Sequence, residues 1–282
     1  MSVNIAKRIE QIEDLPSMPH TMQKILDNLD SVSSSAQSLE RLIRDDPVLS
    51  ANILRIANSP YYGVSGEVSS LARAVVVMGF DEVKNLVIGL SLTGTFAGDL
   101  GVDIYNAKQL WLHSIGVARA CQAMAEFIPE LDTDDLFTAG LMHDIGKFLL
   151  CLYFSKEFNE VIALHKERGI PMAQAEEEYG LLHAEAGAFL AQKWAMSDML
   201  VNVVRYHHHP VSAGPHSQAA AVVFLADQIC HKIKLGGDMG CTPEKVRVPK
   251  NIGIPPEKIK NIAQELRKNR QEIEDSWGSA MG

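Results

Sequence analysis

Residues 45–63 read DDPVLSANILRIANSPYYG. Asp46 can cap a helix with its carboxylate, and Pro47 suits the first helical position, where no N–H is needed. Leu49, Ile53, Leu54 and Ile56 follow at helical spacing. Asn58-Ser59-Pro60 stops the helix, and 61–66 reads as a loop. The same grammar extends both ways. Upstream, Ile5, Ile9 and Ile12 share one face before the two prolines of LPSMP break it. Met22, Ile25, Leu26 and Leu29 form the next stripe. A Ser-rich turn follows, with Ser35 as the expected cap of a helix carrying Leu39, Leu42 and Ile43. Downstream, 71–78 is an apolar helix ending at Gly79, and Asp81 is the expected cap of another through Leu92. Strand-like alternation is nearly absent, so the fold class is all-α, a helical bundle.

Composition bounds the function. The chain has 282 residues, 46% of them hydrophobic, enough to bury a substantial core. Its net charge of −9 argues against wrapping nucleic acid with a broad basic face. No apolar run is expected to span a membrane, and MSVNIAKRIEQ lacks a signal-peptide core. Cys121, Cys151, Cys230 and Cys241 form no CxxC pair, which points to reduced core thiols and a cytoplasmic location. TGTFAGDLGVD marks a boundary. The expected organisation is an N-terminal helical subdomain over 1–100, a second helical subdomain over 101–242, and a tail over 243–282. The tail's helix, with Ile259, Ile262 and Leu266 on one face, should pack on the body.

Nine of the ten histidines lie between His113 and His231, in the most acidic part of the chain. LMHDIGK, residues 141–147, is the sharpest local motif. Asp134 or Asp135 should begin its helix, placing His143 and Asp144 near the helix end, before Gly146. His113 lies in a helix with Leu110, Val117, Cys121 and Met124. His183 opens HAEAGAFLAQKW. Tyr206-His207-His208-His209-Pro210 closes another helix. Asp227 sits inside VVFLADQICHKI, an apolar helix expected to be capped by Ser217. A lone carboxylate there is costly unless paired, protonated or bound to a cation. Five helices each donating His or Asp point to one divalent-metal site. The other histidines read differently: His209 as a helix-end neighbour, His165 as an exposed helix residue, and His20, His216 and His231 as surface or turn residues. Glu176-Glu177-Glu178 reads as a solvated face, and Trp111 and Trp194 as core.

The series His113, His143-Asp144, Lys147, His183, His207-His208 and Asp227 resembles the metal-binding series of the HD phosphohydrolase superfamily in its HD-GYP-like form. DDPVLSANILRIANSPYYG, SLARAVVVMGFDEVKNLV, LPSMP and the HHHP step resemble the HDOD (HD-related output domain) family over residues 10–235. The resemblance implies an all-helical bacterial signal-transduction protein. It implies two divalent ions bridged by Asp144, with His113, His143 and Asp227 on one side and His183, His207 and His208 on the other. His and carboxylate donors suit iron or manganese, with zinc or nickel as alternatives. Gln109 stands where trimetal HD-GYP sites carry glutamate, so two ions are expected rather than three.

The DGxGYP loop of the HD-GYP family is missing after the paired histidines. That favours a binding or output module that passes a signal to a separate, unidentified protein. The alternative is a metal-dependent phosphohydrolase or phosphodiesterase acting on a nucleotide or cyclic dinucleotide. Asp144 and Lys147 would then serve catalysis, with Lys147 holding a phosphate oxygen of this small molecule. Neither a nucleic acid nor a membrane is expected as partner, and the oligomeric state is left open.

Overall fold

The computed structural model describes residues 5–29, 36–44, 46–64, 66–96, 100–102, 106–237, 243 and 245–280. Helices run through it, with no strand among the described residues. They are α1 (Ile5–Glu10), α2 (His20–Leu29), α3 (Ala36–Arg44), α4 (Pro47–Ala57), α5 (Leu71–Met78), α6 (Phe80–Thr95), α7 (Ala107–Ala125) and α8 (Thr133–Met142). Then follow α9 (Ile145–Tyr153), α10 (Ser155–Arg168), α11 (Met172–Tyr179), α12 (His183–Lys193), α13 (Asp198–Tyr206), α14 (Ser217–Ile233) and α15 (Pro256–Ala280). Short 3₁₀ turns cover Pro60–Tyr62 and Pro210–His216. Ser35 and Cys241, two residues read from sequence, lie outside the described residues.

The chain divides into two compact units. One comprises Met1–Leu15 and Gly98–Arg267, the other Pro16–Ala97 and Lys268–Gly282. This departs from the expected boundaries at 100 and 242. The reason at the N-terminus is packing: α1 lies against α12 and buries Ile5 and Ile9. Arg8 pairs with Glu157 at 2.5 Å, and the Tyr153 hydroxyl donates to the Asp14 carbonyl at 2.7 Å. At the other end α15 is shared. Its Ile259, Ile262 and Leu266 are buried in the first unit's span, and its Ile273 and Trp277 in the second's.

In the second unit, α4 forms as its sequence dictates. Asp46 Oδ1 accepts from the Leu49 N–H at 2.9 Å, and Leu49, Ile53, Ile56 and Ala57 are buried. Asn58 then ties down the following loop. Its Nδ2 donates to the Leu54 and Val68 carbonyls, each at 2.8 Å, and its Oδ1 accepts from the Val68 N–H at 2.8 Å. Asn58→Ala removes all three bonds and leaves the Val68 backbone unpaired. A loss of about 1–3 kcal/mol is expected in denaturant unfolding; an unchanged midpoint would refute this role. Gly79, at φ 92, ends α5 and also precedes α6, so Asp81 falls inside the first turn of α6 instead of capping it.

In the first unit, two close helix contacts place the histidine-bearing segments. A Cβ on Gly140 of α8 would come 2.8 Å from Ala118 Cα of α7. A Cβ on Gly146 of α9 would overlap the His183 carbonyl oxygen and come 2.6 Å from the Gly187 N of α12. Thr133–Tyr153 is apolar enough to cross a bilayer by length and composition, which corrects the expectation that no run reaches that length. It is instead α8 and α9 laid through the core, with 89% of its apolar window buried.

Candidate metal centre

His113 lies midway along α7, a buried helix. His143 and Asp144 occupy the α8–α9 junction. α8 is capped by Asp132, whose carboxylate accepts from the Asp134 and Asp135 N–H groups, so neither of those two is the cap. Asp144 leaves helical geometry (φ −101, ψ 9), and α9 begins at once. Gly146 therefore does not stop a helix; it lies in the first turn of α9, where only a missing side chain lets α12 approach. His183 opens α12. His207 ends α13, and Pro210 turns the chain away. Asp227 is buried within α14, which has no side-chain cap; Ser217 is its first residue.

These residues converge. Asp144 faces histidines on two sides. Its Oδ2 lies 3.3 Å from His143 Nε2. Its Oδ1 lies 3.2 Å from His183 Nε2 and 3.9 Å from His207 Nε2. His208 Nε2 is 3.2 Å and His207 Nε2 is 3.3 Å from His183 Nε2. On the far side, Asp227 Oδ1 lies 2.9 Å from His113 Nε2 and 3.6 Å from His143 Nε2. All seven residues proposed from sequence as ligands thus meet in one place.

The outer ring nitrogens settle which atoms face inward. His143 Nδ1 is 2.7 Å from the Gly140 carbonyl, and His207 Nδ1 is 2.7 Å from the Val204 carbonyl. A carbonyl only accepts, so each Nδ1 carries a proton and each Nε2 is the atom turned toward the carboxylates and the other rings. His183 Nδ1 donates likewise to Glu176 Oε2 at 2.5 Å. The Nε2 atoms of His183 and His207 therefore face each other across 3.3 Å, beside Asp144 Oδ1. His143 Nε2 and Asp144 Oδ1 are buried and make no hydrogen bond. Buried polar atoms without partners are costly, and these converge with imidazole and carboxylate donors. The donor set fits a divalent metal.

Electrostatics agree. Burial would raise the Asp144 carboxyl, but the His143 and Lys147 charges hold it well below the usual carboxylate range. Asp227 is held down in the same direction, against burial, by His231 and by hydrogen bonds from its histidine neighbours. Burial would lower His143, but Asp144 and Asp227 raise it to about 10. The field that keeps a proton on His143 equally favours a bound cation. Burial drives His113 down to about 4, with the His231 charge adding to the effect. Burial and then His208 hold His207 well below its ordinary value. Ionised carboxylates and neutral imidazoles are the metal-binding forms.

Two residues were missed by the sequence reading. His231, read as a surface or turn residue, is only 8% exposed. Its Nε2 lies 3.2 Å from Asp227 Oδ1, and its ring stacks on His113 with centroids 4.2 Å apart. Its spacing of four from Asp227 on one helix was the available signal. Glu176, read as part of a solvated face, is buried, and its carboxylate accepts from both the N–H and Nδ1 of His183. It falls four residues after buried Met172, on the apolar stripe of α11. Glu177 and His209 do remain at the surface, paired at 2.8 Å. Lys147 is buried, with Nζ 2.6 Å from Asp144 Oδ2. Gln109 is exposed. Trp111 and Trp194 are core, and Cys121, Cys151 and Cys230 are buried free thiols.

One side of the centre is reachable. A pocket of about 100 Å³ is bordered by His183, His208, Arg205, Tyr206 and Glu177.

The HDOD domain profile matches residues 15–210. Similar solved structures include an HDOD domain protein of unknown function from Geobacter sulfurreducens. It has a TM-score of 0.81 and 29% identity, with 96% of this chain and 95% of that one covered. A candidate phosphohydrolase from Shewanella amazonensis SB2B has a TM-score of 0.74 and 26% identity, with 97% of each chain covered. A candidate signal-transduction protein from Marinobacter aquaeolei VT8 has a TM-score of 0.79 and 25% identity, covering 100% of this chain and 62% of that one. An uncharacterized protein of Treponema pallidum (strain Nichols) is 26% identical over 215 residues. The match takes in 74% of this chain but 40% of that relative's length. The profile match spans well over half of the chain and coincides with a shared helical architecture, so the protein belongs to the HDOD domain family.

Proposed function

We propose that this chain is a bacterial signal-transduction protein whose first unit holds two divalent ions and acts as a binding or output module. Asp144 bridges the ions. His113, His143 and Asp227 hold one; His183, His207 and His208 hold the other. The donors suit iron or manganese. The observation that carries this reading is enclosure: His113, His143, Asp144, His183 and His207 are each at most 1% exposed. Ions so enclosed would tie five helix segments together and leave the helical surface to engage a signalling protein.

The pocket beside His183 and His208 favours a second reading, a metal-dependent phosphohydrolase. A likeness to the candidate phosphohydrolase from Shewanella amazonensis SB2B supports it. Bound divalent ions would supply an activated water and offset phosphate charge. Arg205, now 3.2 Å from Glu185, would hold phosphate oxygens at the rim. Lys147 would keep Asp144 ionised and oriented instead of gripping substrate itself. At about 100 Å³ the pocket admits a phosphoryl group, whereas ligand pockets for whole small molecules run to about 300 Å³ or more.

Elemental analysis, thermal unfolding with and without chelator, and hydrolysis assays on nucleotides, cyclic dinucleotides and a model phosphoester test both readings. Two ions per chain, a melting temperature lowered on chelation and no hydrolysis are expected. Hydrolysis abolished by Asp144→Ala would move the assignment to the enzyme. A metal-free protein after expression with added iron or manganese would overturn both.

A further inference from the structure

We infer that His231 is itself a metal ligand, closing the ion on the Asp227 side and leaving the His183-side ion as the one that takes an outside ligand. The inference rests on the dinuclear reading above.

Asp227 Oδ1 has three imidazole nitrogens around it: His113 Nε2 at 2.9 Å, His231 Nε2 at 3.2 Å and His143 Nε2 at 3.6 Å. One carboxylate oxygen has two lone pairs, fewer than the three ring nitrogens gathered around it. His143 Nε2, the farthest of the three, is buried and makes no hydrogen bond. The separations match a coordination shell instead. Donors about 2.1 Å from one ion stand about 3.0 Å apart along an octahedral edge and about 3.4 Å apart along a tetrahedral one. His113, Asp227 and His231 place their donor atoms within 4.8 Å of one another, as do His113, His143 and Asp144. α14 supplies Asp227 and His231 from adjacent turns of one face, so the pair is set by a single helix.

The count of donors then differs between the two sides. The Asp227-side ion has His113, His143, His231, Asp144 Oδ2 and Asp227 Oδ1. The other has His183, His207, His208 and Asp144 Oδ1. A six-coordinate ion keeps one free position in the first case and two in the second. Only the second borders the pocket, through His183 and His208. A small oxyanion such as phosphate would therefore bind at the His183 side, near Arg205.

The test is manganese titration of metal-free full-length protein, read by bound metal per chain, for wild type, His231→Ala and His231→Asp. Wild type should bind two ions. His231→Ala should bind one with unchanged affinity and the second at least tenfold more weakly, and His231→Asp, which restores a donor, should recover most of the loss. A manganese-loaded wild-type crystal provides a reading independent of any variant's folding: anomalous density should sit within bonding distance of His231 Nε2. Two ions held by His231→Ala with wild-type affinity, or manganese bound away from His231, would overturn the inference while leaving the dinuclear reading intact. Wild type binding no manganese would overturn both.

Discussion

Asp144→Ala should strip the centre of metal and cost the fold several kcal/mol. Both Asp144 oxygens are engaged, one toward His143 and one toward His183 and His207, so no other residue can take over the bridge. Lys147, 3% exposed and 2.6 Å from Asp144, loses its counter-charge at the same time. Removing one partner of a buried ion pair typically costs about 3–5 kcal/mol. For a unit of this size, each kcal/mol lowers the melting temperature by about 2–4 °C. A fall of about 10 °C is expected, with bound metal near zero. Asp144→Ala combined with Lys147→Met also removes the buried ammonium, and should recover much of the stability but none of the metal. A single variant that keeps two ions would remove Asp144 from the bridge.

Gly146→Ala should be the most damaging single-methyl change in the first unit. The added Cβ would overlap the His183 carbonyl and meet the Gly187 backbone N at 2.6 Å. Both obstacles are main chain, so a rotamer change cannot relieve them. The α9–α12 contact has to open, and that moves His183 away from Asp144. A destabilisation of about 3 kcal/mol or more is expected, with loss of the His183-side ion. Gly94→Ala is the matched control. Gly94 is an exposed residue of α6 with nothing near its would-be Cβ, and there alanine should stabilise by up to about 1 kcal/mol. Chemical denaturation of both variants, with bound metal measured in parallel, decides the matter. Equal behaviour of the two would mean that the α9–α12 contact is not tight.

The helical elements were legible because their signals are local. Asp46-Pro47 starts α4 and Asn58 ends it through hydrogen bonds within reach of a few residues. The readings that failed were also local, but competed with neighbours. Asp132 reaches the free N–H groups at the start of α8 before Asp134 or Asp135 can. Gly79 already forms the turn into α6 that Asp81 was expected to cap. Gly146 looks like a helix stop in sequence, yet its lack of a side chain serves a contact with α12, a partner far along the chain.

The candidate site divides along the same line. Residue type and helical position single out the histidine-rich segments and Asp227, because a polar group in an apolar helix demands an explanation that sequence can register, and the resemblance to the HD series selects His113, His143, Asp144, His183, His207, His208 and Asp227 among them. Their common meeting point is a tertiary fact, since no spacing along the chain says that five helix segments converge. His231 and Glu176 were hidden for the same reason. Glu176 stands in an acidic run and His231 beside Lys232 near the end of α14, and only the packing of α14 on α7 and of α11 near the start of α12 takes them out of solvent. Local sequence determines which backbone segments become helices and which side chains are costly to bury. The tertiary structure decides which of those side chains face one another, because burial and donor geometry depend on neighbours that the chain supplies from more than a hundred residues away, as Asp227 does for His113.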